Sequence, residues 1–411
     1  MLKSVFVMFQ YASGCARSPV GKSALIILTL ALGANESASA AIRRVDGSTT
    51  TTGPGTSWGN AYSSLTDALA ASSSGDVLWV ADYTYKPVSQ ASSFSIPAGV
   101  TVLGGFQGNE TTENERNLDP ATNGCILSGD ISNNDGANFA NYSDACYHVV
   151  STASNIDNDT VLESVTIRGG NANNSGDEDS GGGMFIISGR PKVRYCRIIE
   201  NRAENYGGGV WTKGAGTDDD VAIFRDCEIS NNYAVNQGGG IVTSPDTHLV
   251  NCRLENNSTG GSGTGGAIVA GASGDVNIYN CEIVGNSASG GGGAYCSGSH
   301  FVRFVNTLMH DNTSSGVGGA ISVGTGLQLI VADSTITDNS AASGGGALYL
   351  GSGLTNSTIT NSILWNNEST SGNDEIELSG STVAVTYSDV EGGYTGTGNI
   401  DSDPDFVGGG D

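Results

Sequence analysis

The 411-residue chain predicts an all-β fold, a right-handed parallel β-helix (solenoid) with a short N-terminal capping helix, because two separate signatures repeat along it with one period. The first is Gly-Gly-(Gly/Ala)-apolar, at 181–184, 207–210, 238–241, 265–268, 292–295, 318–321 and 345–348. Its apolar members Met184, Val210, Ile241, Ile268, Tyr295, Ile321 and Leu348 are spaced 26, 31, 27, 27, 26 and 27 residues apart. The second signature falls midway between these: Cys196-Arg197-Ile198, Cys227-Glu228-Ile229, Cys252-Arg253-Leu254, Cys281-Glu282-Ile283, Thr307-Leu308-Met309, Ser334-Thr335-Ile336 and Ser362-Ile363-Leu364. In every case an Asn follows three residues after the last apolar residue, giving Asn201, Asn232, Asn257, Asn286, Asn312, Asn339 and Asn367. Apolar residues alternate within a repeat (Val276, Ile278, then Cys281, Ile283), and glycine clusters interrupt any helix once per coil. The predicted coil is therefore strand, turn, strand, turn, and about nine coils stacked at 4.7–4.9 Å would make a rod roughly 40–45 Å long.

Stacking turns each repeated position into a column. A row of seven amides could serve a sugar, but its strict recurrence at one turn points to structure, since each amide can bond the next and satisfy backbone groups orphaned at a buried bend. The Cys196, Cys227, Cys252 and Cys281 column reads the same way, as inward small apolar residues. A zinc site would need ligands converging on one point, and these point alike from successive coils. Cys125 and Cys146 lie outside this column and are the best candidates for a disulfide, with Cys296 as a free thiol.

Before the repeats, residues 1–40 read as a secretory signal peptide: Lys3, Arg17 and Lys22, the apolar run Ala24 to Leu32, and the small-residue site Ala38-Ser39-Ala40. This predicts an extracellular or cell-surface, outer-membrane-associated protein with no transmembrane segment in the mature chain. Residues 41–93 are expected to form the N-terminal cap with a short helix and the first strand. Leu65, Ala68 and Leu69 share one helical face there, a Ser or Thr can cap the helix, and Val77 to Ala81 follows as a strand. The β-helix would occupy 94–411, with its clearest repeats at 160–370 and a longer loop between Asp119 and Asp159. Asn399 to Val407 offers no obvious C-terminal cap, which suggests a truncated end. The net charge of −25 becomes −27 once the leader is removed, so phosphate backbones are repelled and nucleic acid is a poor partner.

These residues resemble bacterial pectin-lyase-like right-handed β-helix proteins, and in particular those with polymorphic outer membrane protein repeats. Gly265-Gly266-Ala267-Ile268 and Asn280-Cys281-Glu282-Ile283 carry that resemblance. The opening from Arg44 through Asp76, the Gly104-Gly105-Phe106 and Gly129-Asp130-Ile131 segments, and the closing Asn361 to Asn367 and Asn399 to Val407 look like surface proteins of the "choice-of-anchor" type. The superfamily spans adhesins, polysaccharide lyases and glycosidases, so the resemblance implies a fold more than an activity.

A lyase needs a base beside a carboxylate-bearing carbon, helped by a cation, and a glycosidase needs paired acids. Arg190, Lys192 and Arg194 alternate along one strand, with Asp177, Glu178 and Asp179 in the loop before it, which makes them the lyase-like candidates; the alternative is an exposed strand beside a solvated loop. Asp177, Asp179, Asp218, Asp219 and Asp220 are the calcium candidates, although no cofactor is required. Asp401, Asp403 and Asp405 match the start of a calcium loop, but Phe406 stands where its Gly belongs. The four histidines His148, His248, His300 and His310 sit in no recognisable catalytic setting. Outward aromatics Tyr206, Trp211, Tyr233 and Tyr295 could stack on sugars or merely pack at turns. The reading preferred from sequence is a noncatalytic, adhesin-like, monomeric surface protein that binds a glycan or a cell-surface component. A polysaccharide lyase or glycoside hydrolase is the alternative.

Overall fold

In the computed structural model the described residues are 40–406 except 155, 215–220, 245, 272–273, 299–300, 355 and 373. The leader, His300 and the calcium candidates Asp218, Asp219 and Asp220 lie outside them. The chain winds into a right-handed solenoid of four parallel sheets with 12, 11, 8 and 10 strands, each strand pairing with its counterpart one coil away. One coil shows the order: Thr247–Val250 in the first wall, Arg253–Glu255 in the second, Ser258–Thr259 in the third and Ile268–Ala270 in the fourth. Twelve rungs at the usual strand spacing extend about 50–55 Å.

Four strands per coil appear where two are expected, because a corner at Asn280 and its counterparts splits Val276–Tyr279 from Glu282–Val284 and because the third wall is hard to see. Most of its strands are two to five residues long, and its inward column is small (Ala172, Ala203, Ala234), which leaves too little apolar periodicity to announce a strand. A short helix, Leu65–Ala70, precedes the second strand of the first wall; the Ser64 side chain caps it by accepting from the Asp67 N–H (3.2 Å), and Leu65, Ala68 and Leu69 turn into the core. Two excursions leave the barrel early in the chain, at about 107–123 and 129–147.

The core is a set of columns. In the first wall the order Leu78, Val102, Leu162, Val193, Phe224, Leu249, Ile278, Phe304, Val331, Ile359 and Val385 follows from the pairing register, and all eleven are buried. The fourth wall corrects one sequence assignment. The residue in register with Ile268 and Ile321 is Ala294, and Tyr295 lies outward between Val269 and Ser322. The run Gly290 to Gly293 hides which glycine takes the left-handed turn; it is Gly291, at φ 64°, where a Cβ would sit 2.1 Å from the Ala294 carbonyl oxygen.

The seven asparagines form a continuous internal ladder. Asn286 shows the rung: its Oδ1 accepts from the backbone N–H of Asn257 (2.9 Å) and from Asn257 Nδ2 (3.0 Å), while its own Nδ2 donates to Asn312 Oδ1 (2.9 Å) and to the Leu254 carbonyl (2.9 Å). At the C-terminal end the acceptor for Asn367 is the buried Glu375, whose Oε1 takes the backbone N–H (3.2 Å) and whose Oε2 takes Nδ2 (2.8 Å).

The cysteine column extends further than the sequence indicates, and it removes the expected disulfide. Cys125 is two residues before Leu127, as Cys196 is before Ile198, and the register places it in the same column through Val165. All seven described cysteines are free and buried, Cys125 and Cys146 included. Burial raises the Cys125, Cys146 and Cys227 thiols and pushes Cys296 up to about 12, and the hydrogen bond with Cys252, then burial, raises Cys281, which makes them apolar fillers. Toward the C-terminus hydroxyls take over: Thr307 N–H donates to Ser334 Oγ (3.2 Å), Ser334 N–H to Ser362 Oγ (3.2 Å), Ser362 N–H to Ser388 Oγ (3.2 Å) and Ser388 N–H to Asn399 Oδ1 (3.1 Å).

Asn286→Ala is expected to cost about 3 kcal/mol in urea unfolding, since it strands the Asn257 backbone N–H in a dry interior and removes the side-chain donor to the Leu254 carbonyl. Any ligand binding should survive in the protein that remains folded, and selective loss of binding at unchanged stability would contradict the structural role. Burial, reinforced by Glu391 and Asp374, pushes the Glu375 carboxyl up to about 8. The folded state therefore holds a proton that the unfolded state releases, and stability falls as pH rises from the ordinary carboxylate range to about 8. Glu375→Gln, whose single carbonyl can accept both Asn367 bonds, should flatten that slope by up to about 1.4 kcal/mol per pH unit. Parallel thermal melts of the two proteins across the window measure it.

Candidate functional site

Outward side chains also fall into columns, and on the first wall one of them turns cationic. Leu103, Glu163, Arg194 and Arg225 occupy successive rungs of one outward column, with Lys192 beside Arg194 on the same strand. Alternation fixes this, because Val193 and Phe224 must face inward. Arg194 Nη2 pairs with Glu163 Oε2 at 2.6 Å. Buried Glu163 also pairs with Arg116, which reaches in from the 107–123 excursion and donates from Nη1 to Ser164 Oγ (3.0 Å) and the Gly104 carbonyl (3.3 Å). That excursion therefore walls off the N-terminal end of the face. An aromatic pile backs it, with Phe106 stacked on Trp79 (4.8 Å) and the Arg44 guanidinium over Trp79 (5.0 Å). Among the described residues no carboxylate pairs with Lys192 or Arg225. On a chain of net charge −25, two free cations adjoining a guanidinium form a local attractor for anionic groups.

The acidic loop stays away from this face. Asp177 ion-pairs with Lys213 on the fourth wall, Glu178 accepts from Asn174 Nδ2 (2.5 Å), and Asp179 accepts from Ser180 Oγ (2.5 Å) and Asn205 Nδ2 (3.4 Å). Lys192 and Arg194 lie one wall further along the coil, so sequence adjacency is not spatial convergence here. Among the described residues no three His, Cys, Asp or Glu groups converge as a metal site. Asp177 and Asp179 are instead engaged by the side chains of Lys213, Ser180 and Asn205.

The aromatic candidates divide between two walls. On the fourth wall Phe185 stacks on Trp211 (5.1 Å), His148 on Phe185 (4.8 Å) and Tyr206 tilts against Trp211 (5.7 Å). The rings follow the solenoid axis and spend their faces on one another. Burial lowers the His148 imidazole below its ordinary value, and its Nδ1 lies 3.0 Å from the Gly181 carbonyl. Tyr295 shares the Trp211 column, three rungs away through Val242 and Val269. Tyr233 is on the third wall, under the Arg202 guanidinium (5.8 Å) and near Phe139 (6.0 Å).

Two further features are absent from the sequence reading. An external polar row lies at the first-to-second corner, where Asn251 Nδ2 donates to Asp226 Oδ1 (2.9 Å), Asn280 to Asn251 (3.2 Å) and Asn306 to Asn280 (2.8 Å), all in left-handed backbone. The Asn or Asp directly before the Cys, Thr or Ser of the second signature, from Asp226 onward, is the signal that marks it. Beside it the second wall carries an alternating charge ladder, in which Arg197 pairs with Glu228 (2.6 Å) and Arg253 with Glu282.

Residues 204–364 match the protein-family description "Right handed beta helix region". Among solved structures, the crystal structure of pectate lyase Pel9A superposes with a TM-score of 0.51 at 15% identity, covering 90% of this chain and 83% of that one. Comparison with curated proteins returns no match. At that identity the likeness establishes a shared right-handed parallel β-helix fold.

Proposed function

We propose that the chain is an extracellular polysaccharide lyase that acts on an acidic polysaccharide along the outer face of its first wall. The supporting observation is the cationic cluster of Lys192, Arg194 and Arg225, in which Lys192 and Arg225 have no carboxylate partner among the described residues of a strongly acidic protein. Arg225 would neutralise a uronate carboxylate and so acidify the adjoining C–H. Lys192, once it has lost its own proton to solvent, would take that proton as the C–O bond to the leaving sugar breaks; water protonates the departing oxygen and an unsaturated product is left. The shared fold with a pectate lyase and the signal-like leader agree with this reading. A second reading, an adhesin-like surface protein with polymorphic outer membrane protein or "choice-of-anchor" character, draws on the fourth-wall aromatic row of Phe185 and Trp211 and the rigid repeat.

The test is a panel of pectate, alginate and other uronate polymers, with and without added calcium, followed by ultraviolet absorbance of the unsaturated product. Lys192→Ala should lower kcat about 100-fold or more, the usual worth of a general base, and Arg225→Ala should act mainly on KM. Binding of uronate polymers without turnover in any condition would replace the lyase with the adhesin-like reading.

A further inference from the structure

The 129–147 excursion folds back over the corner between the second and third walls and closes a cleft of about 540 Å³, within the usual size of small-ligand sites. Its lining combines the rings of Phe139 and Tyr142 with Asp135, Arg168, Glu200 and the Asn256 amide. It opens on a different side of the solenoid from Lys192 and Arg225, which face out from the first wall.

Several observations mark it as built for an occupant. Both carboxyl oxygens of Asp135 are shielded from solvent and have no hydrogen-bond partner, as is Asp144 Oδ2 beside them. A buried polar group left unpaired costs about 1–3 kcal/mol, so keeping three such atoms in one place favours a small shift of the excursion that brings them to hydroxyl partners in the cleft. Phe139 has φ 62°, flanked by Asn138 at 55° and Asn141 at 65°. A bulky side chain in left-handed backbone is a true outlier, and such strain collects at ligand clamps. The strained turn sets the Phe139 ring edge-on to Tyr142 (5.3 Å) and tilted to Tyr233 (6.0 Å).

We infer that this cleft is a binding site for a neutral glycosyl residue, held against the Phe139 and Tyr142 rings with its hydroxyls on the Asp135 carboxyl and the Asn256 amide. The charge balance selects neutral over acidic sugars. Asp130, Asp135, Asp144 and Glu200 bear on the Asp135–Tyr142 cluster against only Arg168 and Lys86, and Arg168 is already turned to Glu200 at 3.8 Å. Burial, then Asp130 and Asp144, push the Asp135 carboxyl up to about 7, which agrees with a site that resists further negative charge. The cleft would hold a neutral portion of a mixed glycan while the first wall engages uronates, but it stands on its own residues and needs no lyase activity.

The experiment is titration calorimetry of the full chain with cellohexaose, xylohexaose, mannohexaose and oligogalacturonate. Binding of at least one neutral oligosaccharide is expected, weakened about tenfold by Phe139→Ala and by Asp135→Leu, and unchanged in Lys192→Ala/Arg225→Ala. Ser258→Trp, which plugs the cleft from the third wall without touching the strained turn, should abolish it while the thermal melt stays wild-type. The inference is overturned if no neutral oligosaccharide binds, if binding persists in folded Ser258→Trp, or if it disappears with Lys192 and Arg225. Loss of uronate turnover alone would sink the lyase reading and leave this one standing.

Discussion

Inside a solenoid the chain must turn a corner in every coil where water cannot reach, and each turn leaves a backbone N–H with no strand partner. Asn answers this with one side chain, because its carbonyl accepts the N–H of the preceding rung and its amide donates onward and to a main-chain carbonyl. Asp would bring repulsion between neighbouring charges, and Ser could not span the rung with both a donor and an acceptor arm. A one-residue slip would throw every inward side chain onto the solvent face and break seven amide rungs together. The ladder therefore fixes the register on which both the core columns and the outward columns depend.

A ladder must also end. The coil after Asn367 offers Glu375, whose two carboxyl oxygens both accept from Asn367 and which hands no bond on to a further rung, so the polar chain stops there. The hydroxyl column ends likewise on Asn399, delivered by the segment after the last coil. Both terminations restrict the C-terminal end with buried hydrogen bonds, where apolar residues such as Tyr387 and Ile400 stay exposed and supply little packing.

The fold was legible because its period is written twice, in the glycine and in the asparagine signatures. Errors arose where one signal was locally degenerate. Four consecutive glycines place Tyr295 in the apolar position of the glycine signature, where Ala294 stands, although its outward direction is as expected, and a third wall built on alanine has no hydrophobic alternation to detect. Cys125 seemed to stand apart because the 129–147 excursion pushes the next coil out of period, although its place two residues before an inward Leu was available. The candidate surfaces were less legible. Sequence proximity joined Asp177 to Lys192 across a wall that separates them, and Arg225, one rung from Arg194, lay 31 residues away. Only stacking converts a coil length into a contact.

That conversion also indicates where chemistry can reside. Along the regular coils the outward groups largely satisfy one another, as Arg197 does with Glu228 and Arg253 with Glu282, or as the rings of Phe185 and Trp211 do by stacking. A ligand arriving there must displace an interaction already made. Beside the two excursions the matching fails: Arg116 and Arg194 share a single buried Glu163, no carboxylate among the described residues pairs with Lys192 or Arg225, and the returning loop strands Asp135 beside a strained Phe139. Unmatched groups cost stability unless something binds them. The repeat supplies enough rigidity to hold such mismatches in place, and its interruptions supply the mismatches, so the unmatched groups gather in the coils beside the two excursions.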